Sequence, residues 1–393
     1  MSEGCGGGAA PPAPDVLAAL RAEFPALADG VFLSTNSTGA TPRAVEGVLE
    51  GYARTLATWR DAAWHGFFRD LVGHHDDVAS FLGAPPGSVV TDTSLSTLLA
   101  RFASGLSYAG ERRRIVTSDQ EFPAVPAVLR GLARLGAEIV VVPSRDGASI
   151  DEEGLHAAID ERTALVCVSH TTYRTGATID VRALASRAHA HGALVALDAY
   201  QSVGVLPVDV AQLGVDALLA GARKWLCGAI ECAFLCVQPD VAERLDPAFT
   251  GWFSSAEPFA FKDDTRRAPG ARRFSGGTPA VLPCLLSRPG LAIVRSLGAG
   301  PIRALSLRRT QRVIDVADEA GIRVVSPREP ERRGGIVALS FAGDDEVFRR
   351  LERQGFVVTY RDAIRIAPHF YNTDEELDGF LRALVTTHRE VCA

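Results

Sequence analysis

The sequence predicts an α/β protein, with a mostly parallel sheet flanked by helices and a smaller α+β domain at the C-terminal end. Three observations carry this. Short apolar runs, rich in Val, Ile, Leu and Ala, recur between residues 110 and 237. Segments with helical periodicity and their own start and stop signals separate them. Beyond residue 237 the alternation loosens and a second, mixed pattern follows. Alternating strands and helices over such a length pack as a parallel sheet covered on both faces, and strands buried on both faces read as continuous apolar runs.

The elements follow in order. Residues 1–14, rich in Gly, Ala and Pro, lack a charged start followed by an apolar block, and read as a loose tail and not a signal peptide. Residues 1–30 are assigned to the tail and a leading helix, 31–285 to the large domain and 286–393 to the small one. Strands are expected at 114–118, 138–142, 164–169, 193–198, 216–220 and 232–237. Ser149-Ile150-Asp151-Glu152 has the Ser-x-x-Glu spacing of a capping box ahead of a helix over 155–159. The helix over 181–191 stops at Gly192 as a C-cap would. Asp92-Thr93-Ser94-Leu95-Ser96-Thr97 opens an apolar helix running to about Phe102. Residues 247–283, rich in Gly, Pro and Arg, predict a long, partly irregular connection that lines something. A long helix over 290–320 with a break near 298–300 follows, then strands at 335–341, 356–359 and 363–366 and helices over 345–354 and 373–390.

Composition narrows the function. A chain of 393 residues exceeds one compact core and suggests two domains. The net charge of −6 supplies no basic field, which argues against nucleic acid or an anionic membrane as partner and for a small ligand. No stretch is apolar for the roughly 20 residues a membrane helix needs, so a cytoplasmic protein is expected. Seven scattered cysteines fit reduced thiols. Cys227, Cys232 and Cys236 fall in or near an apolar run, where free cysteine serves as a small buried hydrophobe, so no metal is expected.

Chemistry enters through lysine. Of 41 basic residues two are lysines, and arginine cannot form a Schiff base. Lys262, beside Asp263 and Asp264, reads as a solvated loop charge. Lys224 follows the apolar run 216–220 by four residues, and Asp198 ends the run before it. If those strands are neighbours, both side chains emerge at one sheet edge, where ligands of such sheets bind. A lysine and a carboxylate so placed suit pyridoxal 5′-phosphate, the lysine binding its aldehyde and the aspartate holding the ring nitrogen protonated. Thr93 and Ser94, at a helix start, are candidate phosphate donors. Phe122, after the strand ending at Ser118, is a candidate to stack on the ring.

These residues together resemble the class V aminotransferases among the fold type I pyridoxal phosphate enzymes, and most of all their kynureninase-like branch, over about residues 31–385. The most specific stretch is LDAYQSVGVLPVDVAQLGVDALLAGARKWLCG. There the resemblance makes Asp198 the partner of the ring nitrogen, Gln201 a contact to the ring hydroxyl and Lys224 the Schiff-base lysine. Asn36 in Asn36-Ser37-Thr38-Gly39, Glu121-Phe122-Pro123, Ser169 to Gly176 and Gly251-Trp252-Phe253 continue the series. It implies Thr172 near the ring oxygen, where many relatives place Asn, and Trp252 at the cofactor. Thr278 would reach the phosphate of a neighbouring subunit, hence a homodimer with shared active sites. Arg365 would grip the substrate α-carboxylate through two parallel hydrogen bonds, and Asn36 would also face the substrate.

Departures matter too. Arg223 stands where relatives have His or Tyr, as a candidate counter-charge for the phosphate. Glu231, in Gly228-Ala-Ile-Glu231, replaces a Gly-Pro-rich turn. Between Cys284 and Cys392 there is no cysteine to serve as a desulfurase nucleophile. The resemblance implies an enzyme acting on an L-α-amino acid: a lyase cleaving a side-chain Cβ–Cγ or C–S bond through a quinonoid intermediate, with an aminotransferase, oxidative decarboxylase or epimerase using the same residues as alternatives. Specificity is expected from Asn36, His65, Tyr173, Trp252 and His369. A non-catalytic scaffold would need neither Asp198 nor Lys224.

Overall fold

A computed structural model describes residues 10–262 and 266–392. Most of the expected tail, Cys5 and the acidic pair after Lys262 lie outside the described residues. Helix α1 (Pro14–Arg21) starts on a proline, whose missing N–H costs nothing there. It is tied down by Arg21, which donates to Tyr371 O at 2.7 Å and pairs with Glu376. Strand β1 (Val31–Phe32) leads to α2 (Val45–Ala57) and α3 (Ala62–Phe81), two helices the sequence reading did not assign.

The main sheet has seven strands: β2 (Val89–Asp92), β3 (Arg114–Ser118), β4 (Glu138–Val142), β5 (Thr163–Ser169), β6 (Leu194–Asp198), β7 (Ala217–Gly221) and β8 (Ala233–Val237). Their order is β2-β8-β7-β6-β5-β3-β4. The four pairs from β4 to β7 are parallel, as expected, while β8 runs antiparallel to both β7 and β2. Because β8 reverses and β2 reverses again, β2 points the same way as β7. The carboxyl ends of β2, β3, β5, β6 and β7 therefore share one edge, with the amino end of β8 among them. β5, β7 and β8 are buried along their whole length. The edge strand β4 is not, and Val141 is 51% exposed.

Helices α4 (Leu95–Ser104), α5 (Ala124–Leu132), α6 (Glu152–Ala158), α7 (Val181–Ala190), α8 (Val210–Leu213) and α9 (Pro239–Arg244) connect and cover the strands. The cap of α6 corrects the sequence reading. Asp151 accepts from Gly154 N at 3.1 Å, Ser149 instead joins a turn around Asp146, and Glu152 accepts from Asp180 N. The aspartate won because it stands directly before the first helical residue, where its carboxylate reaches the third N–H of the helix.

The irregular connection is present, with 3-10 turns at Trp252–Ser254, Pro258–Ala260 and Gly270–Phe274. The next helix begins earlier than expected: α10 spans Val281–Leu297 with Pro289 inside it. Its contacts with α3 and α2 outweigh the backbone bond that a proline removes. At Gly298, with φ 82°, the chain turns by 83° into α11 (Ala299–Glu319). No single described helix is long and apolar enough to cross a membrane.

Beyond α11, β9 (Val337–Leu339), β11 (Thr359–Tyr360) and β12 (Ile364–Ile366) form an antiparallel sheet in the order β11-β12-β9, while β10 (Phe356–Val357) pairs with β1. With α12 (Asp344–Arg353) and α13 (Asp374–Cys392) they close over a separate core that includes Leu33, Val337, Ile364, Phe380 and Leu384.

Candidate active site

The shared sheet edge gathers the chemistry. β2 runs out into Thr93 and Ser94, β3 is followed by Glu121 and Phe122, and β5 by Thr171 and Tyr173. β6 ends on Asp198 and continues to Tyr200 and Gln201, and β7 is followed by Arg223 and Lys224. A cavity of about 200 Å³ opens there. Of the residues read from the sequence, Thr93, Ser94, Phe122, Tyr173, Asp198, Gln201, Arg223, Lys224 and Glu231 line it, joined by Ser169, Thr171 and Tyr200. Asp198 and Lys224 thus face one space, the geometry the lysine argument required.

Lys224 is 6% exposed, with Nζ 4.7 Å from the Tyr200 ring centroid and 5.9 Å from that of Phe122. Burial, which disfavours the ammonium, brings its pKa down to about 7. Asp198 opposes this, and the charges of Arg223, Arg365 and Arg361 add to it. Burial likewise pushes the Asp198 carboxyl up, against the Tyr200 N–H it accepts at 2.9 Å and the nearby Lys224. The amine is thereby neutral enough to act as a nucleophile or base near physiological pH.

The phosphate end is built on α4. Ser94 caps it by accepting from Thr97 N at 3.2 Å, and Leu95 and Ser96 of the first turn line the cavity. Arg101 holds Asp92 at 2.5 Å, which quenches a carboxylate that would repel an anion there. Arg223 lies against the Tyr200 ring with its Nε buried and unpartnered.

Glu121 is buried and accepts from Ser118 Oγ at 2.7 Å, Ser169 Oγ at 2.6 Å and Ser169 N at 3.1 Å. Burial lifts its pKa to about 7. It braces Ser169, whose register partner on β6 is Asp198. Gln201 accepts from Trp225 Nε1 at 3.1 Å and donates to Asn36 O at 2.9 Å, which leaves one amide proton for a ligand.

The remaining sequence candidates fall elsewhere. Thr172 Oγ1 is engaged with Thr175 Oγ1 at 2.8 Å and Ala177 N at 3.1 Å, and the hydroxyl that faces the cavity, buried and unpartnered, is that of Thr171. Asn36 is buried outside the lining, with its amide on Thr359 Oγ1 at 3.1 Å. Its loop abuts the lysine: a Cβ on Gly39 would stand 2.1 Å from Lys224 O, and Gly39 N donates to Arg223 O at 2.7 Å. Arg365 sits behind Tyr173, donating to its carbonyl at 2.8 Å, with Nε buried and unpartnered. Thr278 lines a second cavity, of about 300 Å³, that shares Thr93 with the first. Trp252 packs at the surface against Phe253, Phe259 and Phe261. His65 is exposed on α3, and His369 belongs to the core, its Nε2 2.9 Å from Trp225 O.

Sequence reasoning assigned no role to Tyr200, Thr171, Ser169 or Glu121. Tyr200 and Glu121 were legible as neighbours of assigned residues in Asp-Ala-Tyr-Gln and Gln-Glu-Phe-Pro. Glu231, at φ 63°, holds a backbone conformation unusual for a side-chain-bearing residue at the cavity mouth. The donors at one end, the amine and carboxyl at the other and the aromatic wall between them fit a planar heterocycle bearing an aldehyde and a phosphate.

The family model for class V aminotransferases matches residues 66–380. An uncharacterized aminotransferase, YcbU, of Bacillus subtilis is 32% identical over 91% of this chain and 94% of its own. The kynureninase of Pseudomonas fluorescens is 30% identical over 89% of this chain and 86% of its own. Among solved structures, the apo cysteine desulfurase of Thermococcus onnurineus superposes with a TM-score of 0.86 at 20% identity, covering 97% of this chain and all of that one. The cystine C–S lyase C-DES, in complex with cysteine persulfide, gives 0.83 at 21% identity over 92% of this chain and 99% of its own.

Proposed function

The chain belongs to the class V aminotransferase family, and from that premise we propose that it is a pyridoxal phosphate-dependent lyase that cleaves a Cβ–Cγ or C–S bond in the side chain of an L-α-amino acid. The observation that carries this is the cavity over Lys224, in which an amine of lowered pKa, a buried carboxyl and a helix N-terminus converge. When bound, pyridoxal phosphate supplies the electron sink that stabilises negative charge at the substrate Cα.

The chain's residues do the rest. The N-terminus of α4, with Thr93, Ser94 and Ser96, holds the phosphate, and Arg223 offsets its charge. Asp198 keeps a proton on the ring nitrogen, and Gln201 and Thr171 orient the ring through their free hydrogen-bonding groups. Phe122 covers one face of the ring. Lys224 would hold the aldehyde, and its amine, when free, would serve as the general base for the substrate Cα proton. Arg365, held behind the cavity wall by its bond to Tyr173 O, is the candidate to grip the substrate carboxylate. Among the described residues no cysteine lines the cavity, so a released sulfur or carbon fragment departs without passing to a protein thiol.

A homodimer fits an exposed aromatic face. Trp64, Trp252, Phe259 and Phe261 are 37%, 38%, 53% and 80% exposed, around the stacked pair Phe68 and Phe253. An apolar patch of this kind marks an interaction surface. The six described cysteines are all free, as suits a cytoplasmic protein.

The test is direct. Purified protein should show the visible band of a lysine-bound cofactor, absent in Lys224→Ala. Incubation with a panel of L-amino acids should release alanine or pyruvate plus a side-chain fragment, identified by mass. Accumulation of a keto acid with pyridoxamine phosphate, or release of carbon dioxide, would overturn the lyase reading.

A further inference from the structure

Outside the Lys224 cavity, three buried metal-ligating side chains converge from distant parts of the chain. His74 comes from α3, Cys232 immediately precedes β8 and Cys284 lies in the first turn of α10. They are 1%, 2% and 2% exposed. His74 Nε2 stands 3.5 Å from Cys232 Sγ, Cys232 Sγ stands 3.9 Å from Cys284 Sγ, and all three ligand atoms lie within 4.8 Å of one another. We propose that His74, Cys232 and Cys284 form a structural zinc site.

Geometry is the first argument. A tetrahedral ion with Zn–S of about 2.3 Å and Zn–N of about 2.0 Å sets its ligands about 3.8 Å apart, sulfur to sulfur, and about 3.5 Å, sulfur to nitrogen. The His74–Cys232 and Cys232–Cys284 separations match these, and His74 Nε2 and Cys284 Sγ lie within 4.8 Å. Charge is the second. The trio packs with Leu71, Ala222 and Phe68, an apolar setting in which net charge is costly. Two thiolates and a neutral imidazole around a divalent ion sum to zero, whereas monovalent copper would leave the site negative. Zinc replaces two thiol protons, which pass to solvent, so uptake needs no oxidant or reductant.

Thr91 Oγ1 of β2 lies 3.4 Å from Cys284 Sγ and 2.9 Å from His75 Nε2. The ion would pin α3 and α10 to the chain entering β8, next to β2 in the sheet. Cys227 and Cys236, the sequence neighbours of Cys232, take no part.

Without metal the same contacts form a chain of neutral thiol hydrogen bonds, Cys232 to Cys284 to Thr91, and composition separates the two accounts. Full-length protein produced in zinc-supplemented medium and dialysed against a mild chelator should carry one zinc per chain by elemental analysis. Cys232→Ser and Cys284→Ser should each lower the zinc content about tenfold or more, while Cys392→Ser leaves it unchanged. Protein prepared with Co²⁺ in place of zinc should show the long-wavelength bands of tetrahedral thiolate-bound cobalt. Folded wild-type protein without zinc and without cobalt bands overturns the site, whether or not the serine variants fold. So does zinc retained in full by folded Cys232→Ser.

Discussion

Covalent capture of pyridoxal phosphate by the cofactor-free protein should switch on near neutral pH, far below the range of an ordinary lysine. The neutral amine is the nucleophile. Lys224 moves from 10.5 to about 7 because burial disfavours its ammonium and three arginine charges add to the effect. At pH 7 about half of such amines are neutral, against about one in three thousand for an unshifted lysine, an advantage of roughly a thousandfold in reactive fraction. Two substitutions move the midpoint in opposite directions. Asp198→Asn removes the carboxyl that favours the ammonium and should lower it, whereas Arg223→Gln removes a repelling cation and should raise it. The assay mixes cofactor-free protein with excess pyridoxal phosphate across the neutral and alkaline range and follows the band of the lysine-bound cofactor by stopped flow. Borohydride trapping and peptide mass then place the label on Lys224. A rate that climbs to alkaline pH without levelling near neutrality would refute the reasoning, as would midpoints in both variants equal to that of the wild type.

Lys224→Met should stabilise the cofactor-free protein. The folded-state pKa lies below the unfolded one, so the lysine's penalty is fully present below about pH 7 and fades as pH rises towards 10.5. A gain on the order of 2–4 kcal/mol at neutral pH, shrinking in alkali, is expected from urea unfolding, since the loss of Asp198's partner takes back part of the shift. Gly39→Ala would put a Cβ 2.1 Å from Lys224 O, whereas Gly47→Ala, on α2, meets nothing within 4 Å. The first should cost several kcal/mol, about 3 or more, and abolish cofactor retention, while the second should raise stability by about 0.5–1 kcal/mol, both read by thermal unfolding and by bound-cofactor absorbance. Thr171→Val should weaken cofactor affinity about fivefold to tenfold with little change in melting temperature. Thr172→Val should instead cost about 1 kcal/mol of stability, and the reverse pattern would return the ring contact to Thr172.

Much of the fold was legible because its central strands are buried on both faces. Continuous apolar runs announced β3 to β8 within a residue or so at either end. Lys224 was legible because an amine that arginine can replace as a surface charge, but not as a nucleophile, stood just beyond such a run. Asp198 followed from the same logic, one strand earlier. Other elements carried no comparable signal. β2 is four residues long, and proline inside α10 masked a helix whose stability comes from contacts with α3 and α2. His369 was expected to set specificity, yet its ring is buried in the core, with Nε2 2.9 Å from Trp225 O.

The periodicity of apolar residues, by itself, determined which segments are strands and helices, and the chemistry of two side chains determined what kind of cofactor they suit. Tertiary structure decided which groups meet. The antiparallel β8 brings β2 round to the edge that holds Lys224, a consequence of sheet order that no local pattern encodes. Which of Thr171 and Thr172 faces the cavity rests on the path of one loop. His74 and Cys284 stand 158 and 52 residues from Cys232, so their approach depends on how α3 and α10 pack beside the main sheet. Local sequence controls backbone torsion and burial along one element, whereas contacts between elements arise from how all their faces pack at once.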